Sequence, residues 1–238
     1  MINGKTVALI QARMNSTRFP GKMLHTLGKY PLLECVIRRV KKAKQIDTIV
    51  LTTSTLSAST PLAVLAERLG INVFRGSESD VLGRLSLAAE RFQADSVLRI
   101  CADNPLVEPD ELDRLVKEFQ SNKCDYACNH QDRLESKYAD GFGAEILTND
   151  LLQKVASLAK ISKHREHATL YIWDNKAKFR IFSFSAPPEL SFPKLRFDVD
   201  TPEDLVKLND LIANRCPLDL KASEIVRLKQ KSEKIVAI

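Results

Sequence analysis

Residues 11–22 run Gln11-Ala12-Arg13-Met14-Asn15-Ser16-Thr17-Arg18-Phe19-Pro20-Gly21-Lys22, placing three cations and three small polar side chains directly after a short apolar run. Arginine offers a planar fork of donors and lysine a point charge, and the amides and hydroxyls of such a loop can close around phosphate oxygens. The segment is not a P-loop, because G-x-x-x-x-G-K-[ST] is absent, and G-x-G-x-x-G occurs nowhere in the chain. A plain basic surface loop fits the composition equally well.

The charge around this loop is unevenly spread. Residues 1–45 hold ten Lys and Arg against one acid, Glu34, a balance of +9, whereas the remaining 193 residues hold 26 basic and 29 acidic side chains. A concentrated positive field suits a compact polyanion such as a nucleoside triphosphate as well as it suits a nucleic-acid backbone. Arg38, Arg39, Lys41, Lys42 and Lys44 read as the solvated face and last turns of a helix, where cations favour the macrodipole. Arg13, Arg18 and Lys22 lie in a loop and are open to a ligand. Five scattered cysteines point to a reducing cytoplasm rather than a disulfide framework. No run approaches the roughly 18 apolar residues of a membrane span. The apolar segment behind Met1-Ile2-Asn3-Gly4-Lys5 is too short for the core of a signal peptide.

The elements that must position the loop follow from periodicity. Residues 5–10, 47–53, 71–74 and 96–101 read as strands. Between them Leu32, Leu33, Val36, Ile37 and Val40 mark one helix, and Leu62, Leu65, Ala66 and Leu69, closed by Gly70, mark another. A third helix carries Val81, Leu82, Leu85, Ala88, Ala89 and Phe92, and Pro109 opens a fourth through Leu112, Leu115, Val116 and Phe119. Such alternation predicts an α/β fold with a mostly parallel central sheet and helices on both faces. Ligands bind beyond the C-terminal strand ends of such sheets, which selects loops 11–22, 53–59 and 102–108. Further on, strands are expected near 125–129, 143–148 and 178–185, helices near 149–159 and 164–174, and a last strand–helix pair at 195–213.

A strand followed by A-R-x-x-S-x-R-x-P-x-K resembles the signature of the cytidylyltransferases that activate acidic sugars, among them the acylneuraminate and 3-deoxy-manno-octulosonate enzymes. The branch of spore coat polysaccharide biosynthesis proteins is the nearest likeness. It continues through Val73-Phe74-Arg75-Gly76-Ser77-Glu78-Ser79-Asp80-Val81-Leu82, Arg99-Ile100-Cys101-Ala102-Asp103-Asn104-Pro105-Leu106 and Asp140-Gly141-Phe142-Gly143-Ala144-Glu145. It ends in Arg165-Glu166-His167 and Asp198-Val199-Asp200-Thr201-Pro202-Glu203-Asp204-Leu205.

The resemblance implies a Rossmann-like nucleotide-diphospho-sugar transferase fold in one nucleotidyltransferase domain over residues 1–238. Its nucleotide-binding half would span 1–122, an acceptor-binding and dimerisation half 123–213, and a helical tail 214–238. It implies an enzyme that joins CTP to a nonulosonate- or ulosonate-like acid, releasing pyrophosphate and a CMP-sugar for surface polysaccharide. Ala12, Arg13, Ser16, Arg18 and Lys22 would hold the nucleotide, with Arg75, Asp80 and Arg84 lining its pocket. Asp103 and Asp200 would hold Mg²⁺ as hard oxygen ligands, and with Arg13 and Lys22 they would carry catalysis. Glu145, Arg165 and His167 would meet the acceptor. A cytoplasmic homodimer without nucleic-acid or membrane partners is implied.

Three positions depart from the family's pattern: Asn15 replaces a usual glycine, Cys101 a common threonine, and Gly143 a side chain that is often acidic. Asn tolerates a left-handed backbone. Asp198-x-Asp200 also imitates the metal motif of sugar-transferring glycosyltransferases, and Thr201-x-x-Asp204 a helix cap. Asp103 before Asn104-Pro105 suits a turn as well. Two rivals follow, a glycosyltransferase on the same fold and a non-enzymatic nucleic-acid-binding module suggested by the net positive charge.

Overall fold

The computed structural model describes residues 4–236, so the leader reading at Met1–Asn3 and the last two residues of the tail lie outside the described residues. Strands β1 (Thr6–Gln11), β4 (Thr48–Ser54), β5 (Asn72–Gly76) and β6 (Ser96–Cys101) form a parallel array in the order β5-β4-β1-β6. Strands β2 (Thr26–Leu27) and β3 (Tyr30–Pro31) make a separate small hairpin. The main sheet continues as β8 (Glu145–Thr148), β7 (Tyr126–Cys128) and β9 (Ile181–Phe182). Only β8 runs against the others, pairing antiparallel with β6 and β7.

Alternation along β1 shows why it lies at the centre. Ala8 and Ile10 pack with α1 (Leu32–Val40), α2 (Thr60–Arg68) and α4 (Pro109–Ser121), while Val7 and Leu9 pack on the opposite face with α3 (Val81–Arg91) and α5 (Asn149–Leu158). A strand covered on both sides has no polar face to offer, hence its unbroken apolar run. A third apolar cluster joins Tyr138, Phe142, Phe197 and Val199 to α8 (Pro202–Ile212) and α9 (Ala222–Val236). Among the described residues no helix is long and apolar enough to cross a membrane, and all five cysteines are free.

Several expected elements differ. The segment 164–174 is two short helices, α6 (Ser162–Glu166) and α7 (Leu170–Asp174), because the chain leaves helical geometry at His167. The strand near 178–185 shrinks to the two residues of β9. Residues 195–200 join no ladder: an isolated bridge between Asp140 and Arg196, and a bond from Val199 N to Asp103 O, take its place. Arg39 is not solvated: it is 2% exposed and donates to the carbonyls of Val107, Pro217 and Leu220 at 2.6, 2.8 and 2.9 Å.

Candidate active site

The strand order reverses beside β1, with β4 on one side and β6 on the other, and that switch point opens a crevice at the C-terminal ends of β1 and β6. The amide of Ala12 donates to Thr52 O and that of Ala102 to Gln11 O, both at 3.2 Å, so the chains leaving the two strands start side by side. The loop after β1 then folds back, with Gly21 N donating to Met14 O at 3.0 Å. Gly21 has φ 70°, a left-handed geometry that costs glycine little, and a single 3₁₀ turn, Lys22–Leu24, follows it.

That turn delivers Lys22 to the centre of the site. Its ammonium donates to Val199 O at 2.8 Å and to Asp200 Oδ1 at 3.3 Å, and lies 3.7 Å from Asp103 Oδ2. Lys22 is 9% exposed, so the expectation of a solvent-facing loop residue fails there: closing the turn buries the side chain. The backbone explains how two aspartates about a hundred residues apart converge, since Val199 N donates to Asp103 O at 2.8 Å. Asp200 then precedes a capping box, in which Thr201 and Asp204 bond each other's backbone amides at the start of α8. Burial pushes the Asp103 carboxyl above its ordinary range; the Lys22 charge opposes this, and the nearby Asp200 and Asp198 carboxylates add to it. Asp103 and Asp200 are the pair that could hold a cation. Asp198 is turned instead to Arg196, which grips both its oxygens at 3.0 and 2.7 Å.

The crevice is a cleft of about 270 Å³ lined by Ala12, Arg13, Ser16, Arg18, Lys22 and Asp103, with Asp200 and His167 completing it. Arg13 pairs with Glu166 of α6 and Arg18 with Asp200, each at 2.9 Å. A second hollow of about 420 Å³ adjoins it, sharing Arg99, Cys101 and His167. Because β8 runs antiparallel, its first residue, Glu145, stands directly opposite Arg99 of β6, and the two side chains pair. Tyr126 and Thr169 hydroxyls donate to the same carboxylate at 2.5 and 3.0 Å. Burial alone would push Glu145 up, but the Arg99 charge, with His130 and Tyr126 hydrogen bonds, holds it well below the usual carboxylate range. Burial likewise disfavours His130 charge, yet hydrogen bonds to Asp140 and Glu145 raise its pKa. Glu145 is therefore already matched by Arg99, and Arg133 and Lys163 leave the second hollow cationic beside His130, His167 and the apolar Leu170 and Trp173.

A family model for cytidylyltransferases matches residues 7–235. The chain belongs to the cytidylyltransferase family. It is 32% identical to the spore coat polysaccharide biosynthesis protein SpsF of Bacillus subtilis, over 94% of this chain and 93% of that protein. A cytidylyltransferase structure from Leptospira borgpetersenii superposes with a TM-score of 0.89 at 30% identity, covering 97% of this chain and 96% of that one. A CMP:2-keto-3-deoxy-manno-octonic acid synthetase complexed with CTP shares the fold at a TM-score of 0.65 and 18% identity, over 88% of this chain and 98% of that one.

In this cytidylyltransferase four of the expected site residues sit outside both hollows. Arg75 donates to Ser54 O and Leu56 O, both at 2.9 Å, and so braces the loop after β4. Asp80 caps α3 by accepting from Gly83 N at 2.8 Å, and Arg165 pairs with it, pinning α6 against that helix end. Arg84 is 1% exposed and donates to Ser77 O, while burial lowers its pKa to about 10. Conversely, Arg99, His130, Arg133, Lys163 and Trp173 line the second hollow without having been expected at the acceptor. Arg99 did carry a signal, as the one charge inside the apolar strand 96–101. The others lie in loops and short helices with no periodicity to mark them.

Gly143 gains a physical reason. A Cβ there would stand 2.3 Å from both Asn129 O and Asn129 Oδ1, so no larger side chain fits while Asn129 packs as it does.

Proposed function

We propose that this protein condenses CTP with an acidic sugar, ulosonate- or nonulosonate-like, to give a CMP-sugar and pyrophosphate for surface polysaccharide. The observation that carries this reading is the junction of two unlike hollows. One pairs a cationic loop with the Asp103–Lys22–Asp200 node, and the other sets Arg133 and Lys163 beside a carboxylate already matched by Arg99. The first suits a triphosphate and the second an anionic acceptor. Relatives named for spore coat polysaccharide and for 3-deoxy-manno-octulosonate support the substrate class. A triphosphate cradle would be wasted on the diphosphate sugar of a glycosyltransferase.

The donor set fits Mg²⁺. Two carboxylates converge at the mouth of the cationic cleft, a pair of hard oxygen donors of the kind Mg²⁺ takes. Among the described residues no group of three or more His, Cys, Asp or Glu forms a metal cage. Mg²⁺ needs none, since it takes one or two carboxylates together with phosphate oxygens. Bound there, it would neutralise charge developing on the phosphates. The chain's own residues do the rest by positioning. Arg13, Ser16 and Arg18 hold phosphate oxygens, Lys22 fixes the two aspartates, and the second hollow aims the acceptor hydroxyl at the α-phosphorus.

The decisive experiment screens the four ribonucleoside triphosphates against a panel of sugar acids for pyrophosphate release. CTP with a sugar acid is the expected pair, and release only with neutral sugar phosphates overturns the reading. Arg13→Ala gives a narrower check. Arg13 packs no core and is shared only with Glu166, so its loss should cost about 1.5–3 kcal/mol of phosphate binding. The Michaelis constant for CTP should rise by about one to two orders of magnitude with melting unchanged. An unchanged constant removes Arg13 from the cradle.

A further inference from the structure

A third hollow, of about 350 Å³, lies between α8, α9 and residues 196–201. It shares Arg18 and Asp200 with the nucleotide cleft, whereas the acceptor hollow joins that cleft through Arg99, Cys101 and His167. The cleft therefore adjoins both of the other hollows, which share no lining residue with each other. Displacement at phosphorus is in line, with attacking and leaving oxygens on opposite sides. If the acceptor enters from the Arg99 end, the leaving group departs toward Arg18 and Asp200.

The charges in the third hollow suit that departure. Arg18, Arg196, Lys207 and Lys229 face Asp198, Asp200 and Asp204. Each of those carboxylates is already engaged: Asp198 by Arg196, Asp200 by Lys22 and Arg18, and Asp204 by the Thr201 and Asp200 amides. Among the described residues Lys207 makes no ion pair, and Lys229 has only Glu233 at 3.6 Å, one helical turn further along. Two lysines from two helices thus converge on the hollow, Lys207 in no ion pair among the described residues and Lys229 paired only along its own helix.

We propose that this third hollow is a pyrophosphate site, receiving the product as it leaves the cleft. The inference rests on the CTP-dependent reading above. The acceptor oxygen bonds to the α-phosphorus while the bond from that phosphorus to the α–β bridging oxygen breaks. The electron pair leaves on pyrophosphate, and the hydroxyl proton passes to water. Lys207 and Lys229 then compete with the cleft cations for the departing anion, which shortens its stay beside the product.

Calorimetric titration of the whole protein with inorganic pyrophosphate, and separately with CTP, tests this in Lys207→Gln/Lys229→Gln. Both side chains are outside the core, so the variant should fold normally. Pyrophosphate should bind about tenfold more weakly, the scale of losing charge-assisted contacts, with CTP affinity held within about twofold. Unchanged pyrophosphate affinity with normal CTP binding overturns the inference alone. Equal loss for both ligands also overturns it, since the lysines would then belong to the nucleotide's own phosphate track. Failure of wild type to bind CTP removes the functional reading and this inference with it.

Discussion

Asp103→Asn and Asp200→Asn are each expected to lower turnover by about two to three orders of magnitude, the scale of losing one preorganised electrostatic contact in a transition state. Both changes keep side-chain volume and remove one formal charge. Neither should unfold the chain. Asp103 accepts Val199 N through its backbone carbonyl, and Asp200 donates to Asp204 through its backbone amide, so both structural bonds survive. What changes is the field at Lys22, whose ammonium sits between the two carboxylates. If both carboxylates serve one cation, the double variant should be little worse than either single one, because residues acting as a unit are not additive. Turnover measured across a Mg²⁺ titration checks this, and the concentration required should rise in each variant. Aspartates serving only as turn or cap residues would tolerate Asn. Normal turnover of both variants at limiting Mg²⁺ would place the catalytic centre elsewhere.

The second large effect concerns folding. Glu145 is 2% exposed and accepts from Tyr126 and Thr169 while paired with Arg99. In Glu145→Gln an amide group would face several donors, leaving the half-buried Arg99 without its counter-charge and His130 with Asp140 alone. Breaking a buried pair from one side typically costs about 3–5 kcal/mol. For a chain of this size that lowers the melting temperature by roughly 6–20 °C. The acid dependence gives a second reading. The folded-state pKa of Glu145 is depressed, so its contribution is full above the unfolded carboxylate value of about 4.3 and is lost as pH falls through the folded value. The gap between wild type and variant should therefore narrow only in acid below the usual carboxylate range. Equal melting at neutral pH would remove Glu145 from the account of stability.

The parallel half of the sheet was legible because burial on both faces writes near-continuous apolar runs, as in β1. Part of the cleft was legible for a related reason: Arg13 and Asp103 follow strand ends directly, where position in sequence dictates position in space, whereas Lys22 arrives only through the folded-back loop. Farther from strand ends that link weakens. Residues 195–199 alternate like a strand, yet their backbone bonds only piecemeal, to Asp140 and to Asp103, so local pattern misjudged a segment whose partners are distant. Arg39 looked like one more cation on a helix; its acceptors come from residues 107, 217 and 220, which no local pattern reveals. Arg75 and Arg165 had the chemistry of ligand contacts but are engaged in bracing loops. The second hollow drew its cations from β6, a loop and α6, and only the register of β8 against β6 assembles its edge.

The anchoring of Arg39 has a consequence for the order in which the chain is completed. A ribosome exposes residue 39 long before residues 217 and 220 exist, so two of its three carbonyl acceptors arrive only near the end of synthesis. Until then the guanidinium has Val107 O and the Glu108 carboxylate beside it, while the nitrogen that serves Pro217 and Leu220 is left to water. Delivery of residues 217 and 220 completes the shell around Arg39, so the first-made helix gains its last buried bonds from nearly the last-made part of the chain.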